Sequence, residues 1–225
     1  MKMPTKIGVQ IVVTSSDANG INTSVFNNIV VRAAPASPNG DIVIYASDAS
    51  DANLHGTWTK ANDASSPNGI KLVTPDNGVS NTTEASPFPL DYFDVTFNAA
   101  AGTPYTLWLR LQATGNSKFN DSVWVQFSDA QVNGASVYGI NTQQGLLVNL
   151  ATDSTASSLN AWGWQNGAYW LSQPATVTFA ATGTHTIRIQ VREDGVQIDQ
   201  IVLSPSTYLN DRPGSLGGDT TIVPR

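Results

Sequence analysis

The chain has 225 residues, a formal net charge of −6 and a sequence pI near 4.6. Its 11 basic residues form no cluster, so nucleic acid and anionic membranes are not expected as partners. The absence of cysteine excludes a disulfide framework and a thiolate zinc site, and no apolar run reaches the ~18 residues of a transmembrane helix.

The acidic residues are almost all aspartate, since Glu84 and Glu193 are the only glutamates. Aspartate favours turns and oxygen-ligated metal loops, whereas glutamate favours helices. Abundant Gly, Asn, Ser and Thr and the lack of a long helical period therefore indicate an all-β protein.

Residues 1–33 are predicted to form a hairpin, with strands over 7–14 and 23–31. Two interpretations stay open: the hairpin is the tail of an upstream β-sandwich module, or it belongs to the main domain. Residues 1–13 lack the long apolar segment and cleavage site of a signal peptide, so we expect a piece of a longer protein. Residues 34–40 have the composition of a linker.

Short segments of alternating or apolar character follow, separated by turn residues. Strands are predicted over residues 41–45, 70–73, 92–97, 105–113, 122–128, 136–140, 145–151, 186–192 and 196–203. Loops are expected over residues 55–69 and 161–167, and a loop-like tail over 205–225 is expected to lie on the surface. Short strands at this spacing without intervening helices predict an antiparallel β-sandwich over residues 41–204, most simply a jelly roll.

The strands at 105–113 and 122–128 place polar and aromatic side chains opposite their apolar positions. These side chains are Trp108, Arg110, Trp124 and Gln126. A face that mixes indole rings with planar hydrogen-bonding groups suits pyranose rings, which have apolar C–H faces and a rim of hydroxyls. The alternative is that both tryptophans are cross-strand partners or are covered by the tail.

A second candidate sugar site is the tryptophan-rich segment with Trp162, Trp164 and Gln165. Two tryptophans around one glycine are expected in an exposed loop, where binding residues are common. The alternative is that one of them closes the end of the sandwich.

Asn120 and Asp121 precede a predicted strand. From that position they are expected to reach sugar hydroxyls or a cation, or simply to form a turn.

Asp199 lies between Ile198 and Ile201, where an ionised carboxylate is costly unless something pairs with it. A calcium site that joins Asp199 to Asp48 and Asp51, in the loop after the first strand of the main domain, would remove that cost.

Motifs of common enzymes are missing: there is no H-E-x-x-H, G-x-S-x-G, phosphate loop or dinucleotide fingerprint. His55 and His185 are far apart, and no carboxylate pair stands out for glycoside hydrolysis. We therefore expect no catalytic activity.

Two stretches resemble known families. The segment AWGWQNGAYW…VTFAATGTHTIRIQVREDGVQIDQIVL, which ends in Ile-Asp-x-Ile, resembles the second half of carbohydrate-binding modules of families 6 and 35. IYASD, AAAGTPYTLWLRLQA and NDSVWVQF resemble their first half. The segment IGVQIVVTSSDANGINTSVFNNIVV near the amino terminus resembles the closing strands of a laminin-G or concanavalin-like sandwich.

The family resemblance implies a calcium-bound sandwich with Asp199 and Asp48 as ligands. It also implies an apical sugar site at Trp162 and Trp164, and a concave face with Trp108, Arg110, Trp124 and Gln126.

We therefore expect a non-catalytic module that binds polysaccharide through tryptophan stacking and polar contacts. It would act as a monomeric unit of a secreted bacterial multidomain chain and target an appended enzyme to its substrate. Alternatives are a structural spacer or adhesion domain, or a polysaccharide lyase or hydrolase.

Overall fold

A computed structural model describes residues 40–225 of the protein. The hairpin predicted over residues 1–33 and, apart from Gly40, the linker predicted over 34–40 lie outside the described residues. The described part forms fourteen strands: β1 Ile42–Tyr45, β2 Leu54–His55, β3 Thr59–Asn62, β4 Ile70–Val73, β5 Tyr92–Ala99, β6 Tyr105–Ala113, β7 Ser122–Phe127, β8 Ala130–Val132, β9 Ala135–Ser136, β10 Leu146–Asn149, β11 Trp162–Gln165, β12 Thr176–Phe179, β13 Gly183–Val191 and β14 Val196–Ser204. Its helical elements are short 3₁₀ turns at Ala46–Asp48, Asp51–Asn53, Pro67–Gly69 and Thr114–Asn116.

The strands make two antiparallel sheets, which confirms the predicted sandwich. The first sheet is built around the paired long strands β14 and β6. On the outer side of each long strand, two short strands pair with successive parts of it. Strands β1 and β4 pair with β14, whereas β11 and β12 pair with β6. The second sheet has the order β10-β7-β13-β5-β2. All described ladder pairs are antiparallel, as expected for a jelly roll.

The core lies between the sheets and follows the alternation predicted from sequence. On β6 the residues Tyr105, Leu107, Leu109 and Leu111 enter the core, and β7 and β13 contribute in the same way. The other faces of β6 and β7 are also largely buried, although they carry polar residues. Other segments of the chain therefore cover both outer faces.

The ladder between β14 and β6 shifts register between Ile198 and Gln200, so Asp199 sits at a β-bulge. A bulge adds one residue to a strand and re-aims its side chain. It explains why Ile198 and Ile201, three positions apart, both enter the core.

Two predicted loops contain strands. Residues 55–69 include β3 and the end of β2, and Trp58 is buried against Phe93 at the edge of the core. The tryptophan-rich segment forms β11, which pairs with β6. Residues 205–225, the C-terminal segment, contain no described strand, but Val223 and Asp219 in it are buried. Among the described residues, no helix has the length and hydrophobicity needed to cross a membrane.

Candidate functional site at one end of the sandwich

The tryptophans expected in an exposed loop are buried in β11. Trp164 has no exposed surface and its Nε1 donates to Asp219 Oδ1 over 3.1 Å, while Trp162 Nε1 donates to Ser65 Oγ over 3.1 Å. A side chain at Gly163 would collide with the backbone carbonyl of Leu216. The glycine therefore lets the C-terminal segment pass over β11, and the prediction of an exposed loop is wrong.

The C-terminal segment also covers the outer face of β6. Trp108 Nε1 donates to the Tyr208 carbonyl over 2.7 Å. Arg110 is fully buried and donates to Asp199 Oδ2 over 2.5 Å and to the Asp219 carbonyl over 2.8 Å. The polar side chains of this face thus contact protein, as the alternative reading of Trp108 anticipated.

The outer face of β7 is covered by the loops before β5 and before β10. Trp124 Nε1 donates to Thr82 Oγ1 over 2.8 Å. Gln126 Nε2 donates to the carbonyls of Thr142 and Gln144, each over 2.8 Å. Both side chains are buried.

The predicted calcium ligands are not brought together. Asp48 pairs with Arg225, Asp51 pairs with Lys60 over 3.0 Å, and Asp199 pairs with Arg110. Among residues 40–225, no three His, Cys, Asp or Glu side chains are grouped to hold a metal ion. Because each carboxylate already faces a cation on a different element, this set does not fit calcium.

Arg110 forms an ion pair with Asp199 and so offsets the cost of burying this carboxylate. Burial raises the pKa of Asp199 to about 7, although the charge of the neighbouring Arg110 guanidinium acts to lower it. Its Oδ1 has no hydrogen-bond partner among the described residues.

Asn120 and Asp121 lie where β7 begins, at one end of the sandwich. Asn120 Nδ2 donates to Asp76 Oδ2 over 2.9 Å and to the Thr114 carbonyl over 3.1 Å. Asp121 is only 1% exposed, and its Oδ2 accepts from the Ala151 backbone N–H over 2.9 Å. Its Oδ1 is buried and has no partner within the described part of the chain.

Asp121 opens onto a cleft of about 190 Å³, which we call the Asp121 cleft. Its walls include two aromatic residues in sequence, Tyr169 and Trp170, which are 47% and 44% exposed. Their ring centroids are 4.6 Å apart at an interplanar angle of 75°. The remaining lining residues are Lys118, Asn149, Ala151, Asp153, Ser154, Arg192 and Glu193.

The charged groups of the cleft are arranged around Glu193. Its carboxylate accepts from Ser122 Oγ over 2.7 Å and from Arg192 Nη1 over 2.5 Å. The Arg192 guanidinium lies 5.7 Å from the Trp170 ring, and its buried Nε has no partner among residues 40–225.

The pKa of Asp121 is raised from 3.8 to about 7, mainly by burial and in part by the neighbouring Glu193 carboxyl group, while the hydrogen bond from Ala151 and the charge of Arg192 act to lower it. Two neighbouring carboxyl groups in one buried site disfavour double ionisation.

A second depression, the Gln165 recess, adjoins the cleft and encloses about 530 Å³. Trp108 and Gln165, both predicted sugar contacts, line it, and Tyr169 lines both depressions.

Sequence reasoning did not single out Tyr169 and Trp170 as candidate site residues. The available signal was the run Tyr169-Trp170-Leu171 followed by Ser-Gln-Pro, because three large apolar residues outside any strand pattern are hard to bury.

Fold and site together define a β-sandwich domain with a cleft at one end. The family model described as Glycosyl hydrolase family 115 C-terminal domain matches residues 37–211, and the chain belongs to this family. No curated protein matches the sequence.

Several solved structures are similar. The Podospora anserina GH26-CBM35 β-(1,4)-mannanase is 16% identical with a TM-score of 0.45, over 75% of this chain and 28% of the mannanase. A family 35 carbohydrate-binding module from Clostridium thermocellum is 13% identical with a TM-score of 0.44, over 72% of this chain and 96% of the module. The CBM6cm-2 module of Cellvibrio mixtus lichenase 5A, in complex with cellotriose, is 13% identical with a TM-score of 0.39, over 72% of this chain and 95% of the module. Two of these structures are carbohydrate-binding modules, and the chain spans little more than a quarter of the mannanase.

Proposed function

We propose that this domain is a non-catalytic carbohydrate-binding module whose saccharide ligand occupies the Asp121 cleft. One observation carries the proposal: two residues with a buried polar atom that has no partner among the described residues, Asp121 (Oδ1) and Arg192 (Nε), line the same cleft as two half-exposed aromatic residues. A pyranose supplies both complements, because a hydroxyl donates to the carboxyl oxygen and accepts from the guanidinium. Its C–H face packs on an aromatic ring.

The cleft suits one sugar ring rather than a larger ligand. Its volume of about 190 Å³ is below the roughly 300–1,000 Å³ of pockets for drug-sized ligands. Tyr169 and Trp170 are held before binding, since the Leu171 N–H donates to the Ala168 carbonyl over 3.0 Å. Ala168 itself packs in a buried cluster with Trp124. Such preorganisation lowers the entropy cost of binding.

The predicted ligand residues then divide by position. We propose that Asp121 contacts the sugar and that Asn120 holds the neighbouring loop through Asp76. Trp162, Trp164, Arg110, Trp124 and Gln126 act as supports beneath the covering segments, and Trp108 and Gln165 belong to the Gln165 recess.

We further propose that the module serves a secreted bacterial enzyme, as a monomeric part of a longer chain, and holds that enzyme at its polymer. The support is the family, which is named as the C-terminal domain of a glycosyl hydrolase. Calcium has no part in the proposal, because the three predicted carboxylate ligands are paired with cations.

Native affinity electrophoresis against a panel of soluble polysaccharides tests the proposal. We expect retardation by one or a few polysaccharides, with dissociation constants between about 1 mM and 1 µM. Trp170→Ala and Tyr169→Ala should each weaken binding about tenfold or more, which corresponds to ~1.4 kcal/mol.

Phe88→Ala is the matched control, because Phe88 is 85% exposed and does not line the cleft. Retention of full affinity in both cleft variants would place the ligand elsewhere. Absence of binding to every soluble and insoluble polysaccharide tested would reject the function.

A further inference from the structure

The Gln165 recess differs from the Asp121 cleft in its chemistry. None of the residues that line it carries a charge, and they include the amides Gln165, Asn166, Gln173 and Asn210 and the aromatic residues Trp108 and Tyr169. The cleft, in contrast, is lined by Lys118, Arg192 and three carboxylic acids. A depression of about 530 Å³ bounded by amides, hydroxyls and aromatic rings matches a neutral, hydroxyl-rich ligand.

Two amides of the recess have unused hydrogen-bonding capacity. The side chains of Asn166 and Asn210 form no hydrogen bond to another residue in the range 40–225. An amide offers one acceptor oxygen and two N–H donors, which is the combination that a vicinal diol needs.

The wall between the two depressions is a single short turn. Tyr169 lines both of them and is 47% exposed. The turn is fastened on both sides: the Asn149 N–H donates to the Gly167 carbonyl over 3.0 Å, and Gln173 bonds to the backbone of Gly145 and Leu147 over 2.8 and 3.0 Å. A ligand that fills one depression therefore meets a fixed aromatic ridge at the entrance to the other.

We propose that the two depressions are consecutive subsites, and that the ligand is an uncharged glycan chain that runs from the Asp121 cleft over Tyr169 into the Gln165 recess. The inference rests on the proposed function and adds the class of ligand: an internal stretch of a neutral polysaccharide. A single ring occupies the cleft, and the following rings occupy the recess.

Chain length is the variable that tests this inference. The polysaccharide that retards the domain most is hydrolysed, and its size-separated di- to hexasaccharides are titrated calorimetrically. We expect the hexasaccharide to bind about tenfold more tightly than the disaccharide. The double variant Asn166→Ala/Asn210→Ala should remove this gain, so that the hexasaccharide binds no more tightly than the disaccharide.

Asn62→Ala is the matched control, since Asn62 is an exposed amide on β3, at the far end of the first sheet. Trp170→Ala should weaken both oligosaccharides alike. Equal affinity for all lengths, or a length gain that survives in the double variant, would overturn the second subsite while leaving binding at the cleft intact. Failure of every polysaccharide to retard the domain would instead reject the proposed function and this inference with it.

Discussion

Arg110 Nη1 lies 2.5 Å from Asp199 Oδ2, and neither side chain has any exposed surface. The same guanidinium donates through Nη2 to the Asp219 carbonyl over 2.8 Å, and its Nε faces Asp219 Oδ1 at 3.4 Å. One arginine thus joins the bulge of β14 to the C-terminal segment.

Replacing this arginine should be costly. Arg110→Met keeps most of the volume but leaves two carboxylates buried without their cation, so we expect a loss of about 3–5 kcal/mol in the free energy of unfolding at pH 7. Urea denaturation measures it. The loss should shrink at pH 5, where carboxyl groups bind protons more readily.

Arg188→Met is the control, because the Arg188–Asp94 pair is partly exposed. If Arg110→Met lowers the free energy of unfolding no more than Arg188→Met does, the buried ion pair stabilises the fold no more than the partly exposed one.

Asp121 should make stability depend on pH. Its pKa is about 7 in the folded protein against an ordinary value of 3.8, so the folded state retains a proton that the unfolded state releases between these values. The free energy of unfolding should therefore fall as pH rises from about 4 to 7, by at most ~1.4 kcal/mol per pH unit. Asp199, whose pKa is also raised to about 7, acts in the same direction.

Urea denaturation between pH 5 and 8 provides the measurement. Asp121→Asn should flatten the slope without abolishing it, because Asp199 remains. An unchanged slope in this variant would show that Asp121 does not retain its proton.

Removal of divalent cations should leave the melting temperature unchanged. Asp48 pairs with Arg225, Asp51 with Lys60 and Asp199 with Arg110, so the three carboxylates do not face one another. Differential scanning fluorimetry with and without chelator checks this. A drop in melting temperature that Asp48→Asn or Asp51→Asn abolishes would restore the calcium hypothesis.

Replacement of Trp164 should lower the stability much more than replacement of Trp170. Trp164 has no exposed surface, so Trp164→Ala should cost about 3–5 kcal/mol of stability. Trp170 is 44% exposed, so Trp170→Ala should change stability by roughly 0.5 kcal/mol or less. Thermal unfolding separates the two. A large stability loss in Trp170→Ala would mean that its effect on sugar binding could not be assigned to the ligand contact.

The alternation of apolar and polar residues in β6, β7 and β13 is readable from the sequence, because a pleated strand in a sheet that packs on another sheet turns every second side chain toward the core. The irregular spacing of Ile198 and Ile201 was visible too, and it marks the bulge. The cost of burying Asp199 was correctly anticipated, but its expected partner was calcium rather than Arg110. The sequence around Asp199 shows that its charge needs a partner, but it does not show that the partner is Arg110, which is distant in the chain.

The amino-acid sequence by itself determined the strand faces, the lack of helices longer than a 3₁₀ turn among residues 40–225 and the need to neutralise Asp199, because these follow from local periodicity and the cost of desolvation. Only the tertiary structure decided which polar faces stay open. Residues 205–225 cover β6 and β11 and the loop before β5 covers β7, so the tryptophans of the strands are buried. Tyr169 and Trp170 remain exposed beside Asp121 because exposure depends on what other segments pack against a face, and such contacts between distant segments leave no periodic mark in the sequence.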